Sequence, residues 1–297
     1  MPLSEAVAEA ARLDKLPGHR AAVFQLPTEK SFEAYRAGIG VNWSTAKHLD
    51  HSAAHYIDAC EAPSSDSPAK SLGRLCHTLA LEPHLYEQQY AVWSGLDRRT
   101  KAGKAAWQAF TAELGSRSVV SASDVATAQG VADAFRSHPE IAPLLDGAWF
   151  ELPLYWIEVV NGVSVRCKGL LDMYHPATGT LIDLKTVEST HPRSFGRAAA
   201  RYGWFGQGAW YADGAEACGL EVKRVLFAAV EKTGHHDAVV YESTASGGLY
   251  VGRMQKQAHL ATLAQCMTSG EWPGRSSRIE PLYVPEYMLG DELDIQF

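Results

Sequence analysis

The stretch LIDLKT, residues 181 to 186, sets Asp183 and Lys185 two positions apart in an otherwise apolar run. In an extended strand alternate side chains share a face, so the two charges point one way while Ile182 and Leu184 point the other. Alone, they are also what an ordinary ion pair at a sheet rim looks like. Asp172 ends the earlier run GLLD, and a hairpin between the two runs would bring the two carboxylates side by side. Singly, Asp172 reads equally as a turn-adjacent acid. Together, two acids and a lysine match what metal-assisted phosphodiester hydrolysis needs. Hard oxygen ligands hold Mg²⁺, and a cation positions the attacking water or offsets charge developing on phosphate.

The elements that must position these residues follow from periodicity. From about residue 148 the chain is rich in β-branched and aromatic residues, with turn signals at Asn161-Gly162 and over 176–179, which predicts three consecutive antiparallel strands. Residues 192–219 read as a helix in two pieces, 222–231 and 237–244 as strands, and 246–269 as a long helix. The first half reads as all helical: 4–14, a helix from Asn42 or Ser44 to about Glu61, 69–81 ending at Pro83, 101–115, and 121–138 with Ser121 and Asp124 at cap spacing. The order predicts an α/β fold with a helical N-terminal elaboration. The expected organisation is an arm over 1–40, a domain over 41–270 divided into a helical part (41–147) and a β-sheet core with its helices (148–270), and a Pro-rich acidic tail over 271–297.

The bulk composition narrows the function classes. At 297 residues, 46% hydrophobic and 21% charged, the chain can bury a large core. Its net charge of −7 argues against an indiscriminate polyanion binder, so any nucleic-acid function needs a local basic groove. Five separated cysteines without a CxxC pair argue against a zinc ribbon or a disulfide framework. The N-terminal stretch has acids among its alanines and no continuous apolar run, so neither a leader nor a membrane anchor is expected, and the location expected is cytoplasmic.

Two more short motifs complete a set. GRLCH places Gly73 and His77 on the 69–81 helix, and QGAWY places Gln207 and Tyr211 four apart on the helix after LIDLKT. With GLLD and DLK these resemble the GxxxH, GxxD, DxK and QxxxY motifs of the PD-(D/E)XK nuclease superfamily, in its RecB-like branch. The surrounding phrases GRLCHTLALEPHLYEQQY and IDLKTVEST are similar to the nuclease domain of RecE-type exonucleases (exodeoxyribonuclease VIII), over about residues 35–265. Each motif is short enough to arise by chance; their joint occurrence in order is not easily so explained.

The resemblance implies a restriction-endonuclease-like core with a mixed central sheet flanked by helices. It implies roles residue by residue: His77, Asp172, Asp183 and the backbone carbonyl of Leu184 as ligands of Mg²⁺, with Mn²⁺ as a substitute; Lys185 as the group that orients or deprotonates the attacking water; Gln207 and Tyr211 as a pair acting on substrate phosphate or on the lysine. A rim tyrosine on an amphipathic helix is the ordinary alternative for the last pair. Glu151, one strand earlier, is a further candidate for the same ion or a second one. The implied activity is a Mg²⁺-dependent exonuclease that degrades linear double-stranded DNA from an end to leave single strands for recombination. The implied assembly is a homo-oligomeric ring beside a single-strand-annealing protein. The rival readings are a catalytically silent DNA-binding or phage-assembly module, and an endonuclease or single-strand-specific nuclease on the same scaffold.

Basic residues supply DNA-contact candidates: Arg98, Arg99, Lys101 and Lys104 before and within one helix, and Arg193, Arg197 and Arg201 at i, i+4 and i+8 along another. A solvated helix face is the ordinary alternative. His48, His51 and His55 could form a rival metal site on one helix, yet only Asp50 or Asp58 stands near to complete it. No closing cysteine group accompanies His51 and Ser52, so no iron-sulfur cluster is expected.

Overall fold

A computed structural model of the chain describes residues 32–62, 67–93, 95 and 97–284; the expected helix over 4–14 and the end of the tail lie outside the described residues. In chain order the first part comprises α1 (Phe32–Ala37), α2 (Trp43–Ala46), a 3₁₀ turn (Lys47–Asp50), α3 (Ala53–Glu61), α4 (Pro68–Leu81), α5 (Tyr86–Gln89), β1 (Tyr90–Trp93), α6 (Lys101–Ala112), β2 (Ser118–Ser121) and α7 (Ala122–Ser137). The second comprises β3 (Trp149–Val160), β4 (Val163–His175), β5 (Thr180–Val187), α8 (Pro192–Tyr202), α9 (Trp204–Ala217), β6 (Arg224–Glu231), β7 (Ala238–Glu242) and α10 (Gly248–Ser269).

The starts of these helices are written locally. Ser67 and Thr100 accept backbone N–H bonds at the starts of α4 and α6, and Ser121 with Asp124 forms a reciprocal capping box on α7. Two expectations are corrected. The helix from Asn42 to Glu61 is three pieces, because extended Ser52 takes the His55 N–H and restarts the chain as α3. The first half is not all helical either: β1 and β2 form a two-stranded parallel sheet, and four-residue strands carry too short a pattern to be read.

The main sheet has the order β3-β4-β5-β6-β7, with β5 and β6 parallel and the other neighbours antiparallel. The α8–α9 pair is the crossover that the parallel step requires. On one face α4 and α7 bury Leu75, Leu79, Val131 and Phe135 against Met173, Ile182, Leu184 and Leu226. On the other, α9 and α10 bury Trp210, Leu260 and Leu263 against Leu152, Leu154, Trp156 and Leu181. The protein is thus a mixed sheet between helical layers, the α/β fold read from the sequence. Within α10, buried Lys256 meets Glu158 at 2.7 Å and Asp213 at 2.8 Å, so its charge is paired.

One irregularity concerns the site. Residues two apart in a strand share a face, yet Phe150 packs with the α4/α7 core and Leu152 with the α9/α10 core. Met173 and Leu171, their partners on β4, divide the same way. The faces exchange at the intervening pair, Glu151 and Asp172, and Glu151 has a left-handed φ of 45°. A non-glycine residue in that region costs roughly 1–3 kcal/mol and persists where surrounding packing over-determines it.

Candidate active site

β4 and β5 pair only between Met173–His175 and Thr180–Ile182, then diverge, while β5 continues beside β6 as far as Val187. The freed edge of β4 takes up Val41, whose N–H donates to the Arg166 carbonyl at 2.9 Å and whose carbonyl accepts from Lys168 N–H at 2.8 Å. In the fork between the strands a side chain replaces the missing ladder bond: Leu184 N–H donates to Asp172 Oδ2 at 2.8 Å.

The Leu184 carbonyl serves the other side of the fork. It lies 3.1 Å from His77 Nε2, on α4. A carbonyl can only accept, so Nε2 carries a proton and donates to it. Nδ1 in turn faces Asp172 Oδ1 at 3.7 Å. Glu151 completes the group: one ligand atom each from His77, Glu151 and Asp172 lie within 4.8 Å of one another.

Asp183 is fully buried on the same strand. Burial lifts its carboxyl to about 6 even though Lys185 opposes the rise; Asp172 adds to it. Glu151 is also pushed well above the ordinary glutamate range, by burial first and then by Asp172, Glu82 and Asp183. The Lys185 ammonium stands 2.5 Å from Asp183 Oδ2 and donates to Gln207 Oε1 at 2.8 Å. Gln207 Nε2 donates to the Tyr211 hydroxyl at 3.0 Å. The i, i+4 spacing on α9 therefore forms a relay running from Tyr211 through Gln207 to Lys185 and Asp183.

This donor set fits a divalent cation. Burial first, and then the neighbouring acids, raises the Glu151 and Asp183 carboxyls, so a bound cation would favour their charged forms, and a His77 ring nitrogen faces Asp172. Carboxylates suit Mg²⁺ and Mn²⁺, the imidazole tilts the set toward the transition metal, and the Leu184 carbonyl orients that imidazole as an outer partner does in metal sites.

The sequence-derived residues do not all meet here. His77, Asp172, Asp183, Leu184, Lys185, Gln207 and Tyr211 converge, and Glu151 joins them. Arg193, Arg197 and Arg201 lie exposed along α8. Arg98 stacks over Trp107 at 4.5 Å and Arg99 pairs with Asp97 at 2.8 Å, contacts local to the start of α6, where Lys101 and Lys104 are exposed. His51 and His55 rings lie 5.5 Å apart and Ser52 holds His55 Nδ1 at 2.7 Å, but the break at Ser52 takes them off a shared helix with His48. Sequence reasoning passed over Lys47, Glu82 and Trp204. Lys185 Nζ lies 5.3 Å from the Trp204 ring, Lys47 is within electrostatic reach of Lys185, and Glu82 is within reach of Glu151. Their only sequence signal is closeness in the chain to Trp43, Pro83 and Gly203.

The family described as a PDDEXK-like domain of unknown function (DUF3799) matches residues 42–283. Among solved structures, that of a "Putative exonuclease" from Eubacterium rectale superposes with a TM-score of 0.56 at 13% identity, covering 91% of this chain and 100% of that one. At that identity it shows a shared fold. A second structure, of SSO0001, covers 69% of this chain and 89% of its own at 14% identity and a TM-score of 0.29, too low to carry an argument. No curated protein matches the chain.

Proposed function

The chain belongs to the PDDEXK-like domain family, and from that premise we propose that it is a metal-dependent deoxyribonuclease. The observation that carries the reading is the convergence, in the β4/β5 fork, of the His77–Asp172–Glu151 group with the Asp183–Lys185–Gln207 relay. His77, Glu151, Asp172 and Asp183 would hold the cation. When bound it would offset phosphate charge and favour ionisation of the attacking water.

The chain's own groups supply the rest. Leu184 fixes Asp172 through its N–H and His77 through its carbonyl, so one residue sets the distance between two ligands. Lys185, held by Asp183 and Gln207, presents a positive charge where water is oriented and where charge builds on the phosphate. Ile182 and Leu184 anchor the opposite face of β5 in the core, which keeps Asp183 and Lys185 aimed at the fork.

The finer reading is a Mg²⁺-dependent exonuclease acting from the ends of linear duplex DNA, working as a ring beside a single-strand-annealing protein. It is supported by the RecE-like phrasing around GRLCH and DLK. Digestion of linear and covalently closed duplex DNA with Mg²⁺ or EDTA tests it, using wild type and Asp183→Ala. Loss of linear DNA only with metal and wild type is expected. Intact linear DNA with wild type, or equal digestion by the variant, refutes a nuclease. Cutting of the closed circle refutes end dependence alone.

A further inference from the structure

We propose that the elbow between α8 and α9 is a subsite for an unpaired nucleotide of the strand being cut, with Tyr202 and Trp204 receiving its base and Lys47 and Arg201 its phosphates. The proposal rests on the nuclease reading and names how that site takes its substrate.

The elbow is built on Gly203, whose φ of 74° ends α8 and begins α9. A left-handed residue here suits glycine, and the turn sets the Tyr202 and Trp204 rings 5.6 Å apart and tilted by 30°. Trp204 is half-buried, backed by Phe195 at 5.3 Å, and Lys185 Nζ lies 5.3 Å from its ring. Tyr202 is 48% exposed, and the Arg201 guanidinium lies 5.6 Å over its ring. The catalytic-site lysine is thus linked to solvent by two aromatic rings, with a cation at each end.

A third cation faces the same elbow from a distant part of the chain. Trp43 Nε1 donates to the Gly203 carbonyl at 2.7 Å, and the Lys47 Cβ lies 3.8 Å from where a Gly203 Cβ would stand. The segment is locked in place because Asp50 Oδ1 meets His259 Nε2 at 2.8 Å and Trp43 stacks on that imidazole. Among the described residues Lys47 has no carboxylate or carbonyl partner. Its amine is held below the usual lysine range by burial and then by Lys185 and Lys70. Half-buried, unpaired and pressed by like charges, Lys47 is a group that an anion would satisfy.

Accessible aromatic faces beside cations are what single-stranded nucleic acid requires, since every unpaired base has a free π-face and every link a phosphate. A base within a duplex has both faces covered by its neighbours. The ring pair therefore selects an unstacked base, and its continuity with Lys185 sets that base beside the reacting phosphate.

The test uses the full chain in EDTA, so that binding is read without cutting. Oligonucleotides carry the fluorescent base 2-aminopurine either in an unpaired end or in the interior of a fully paired duplex. Wild type is expected to quench the unpaired probe more than the paired one. Tyr202→Ala should lose the quenching and bind about fivefold or more weakly, while Tyr202→Phe keeps both. Lys47→Met should reduce the slope of log affinity against log salt by about 0.7 for a single strand. Equal quenching of paired and unpaired probes, unchanged quenching by Tyr202→Ala, or an unchanged salt slope for Lys47→Met would each overturn the subsite. Digestion with Mg²⁺ separates the two readings. A wild type that cuts DNA while the variants bind unchanged removes only the subsite. A wild type that never cuts, yet loses quenching with Tyr202→Ala, removes only the nuclease.

Discussion

Lys185 donates to Gln207 at 2.8 Å, joining β5 to α9. The bond leaves the ammonium with one direction fixed toward Gln207 and another toward Asp183, at 2.5 Å. Lys185 is therefore held in place by the fold itself, and under the proposed function Gln207 would act through it.

Truncating the two residues should separate their roles. Lys185→Ala removes the charge and should lower kcat by about 10²–10⁴-fold, the range for a group that moves or orients a proton. Gln207→Ala only loosens the lysine and should lower kcat by roughly tenfold with little change in KM, since a misplaced group costs less than a missing one. Single-turnover digestion of linear duplex DNA reads both; a Gln207→Ala effect confined to KM would assign that residue to substrate binding.

Added Mg²⁺ or Mn²⁺ should raise the Tm of wild type, by about 2.7 kcal/mol of stabilisation at a hundred times the Kd. Asp172→Asn keeps an acceptor for the Leu184 N–H but removes the charge, so the fold should persist while the metal-induced rise disappears. His77→Ala should weaken the Mn²⁺ effect more than the Mg²⁺ effect, because imidazole favours the transition metal. Thermal melts with and without metal measure all three.

The metal-free protein should become less stable as pH rises from about 4 to about 6. Asp183 titrates near 3.8 in the unfolded chain and at about 6 in the fold, so the folded state holds its proton more tightly. Its contribution is full below the unfolded value and is lost as pH climbs to the folded one, a change of up to about 3 kcal/mol. Glu151 acts in the same sense. Urea unfolding across this range should show the decline in wild type and a shallower one in Asp183→Asn.

Glu151 offers a test of backbone strain separate from charge. Both Glu151→Gly and Glu151→Ala remove the carboxylate, but only glycine is at ease at a φ of 45°. The glycine variant should be the more stable by about 1 kcal/mol. Chemical denaturation of the pair decides it; equal stabilities would mean that the strand relaxes when the acid is removed.

Much of the site was legible because its parts are local patterns. The alternation of Ile182 and Leu184 with Asp183 and Lys185 fixes which side chains share a face, and the spacing of Gln207 and Tyr211 does the same on a helix. Cap spacing at Ser121 and Asp124 marks where one helix starts, and the helical pattern over 69–81 that stops at Pro83 carries His77. These features depend on three or four neighbouring residues, and the sequence by itself determined them.

The remainder depends on which distant segments meet. The fork exists because β6 pairs beside β5 while β4 turns to Val41, a choice made by packing across the sheet. The exchange of faces at Glu151 and Asp172 breaks the strand period that makes such runs readable. Lys47 reaches the elbow only because Trp43 hydrogen-bonds to Gly203, 160 residues away. The tertiary structure alone decided these, because burial and long-range hydrogen bonds override a local pattern once the chain is compact.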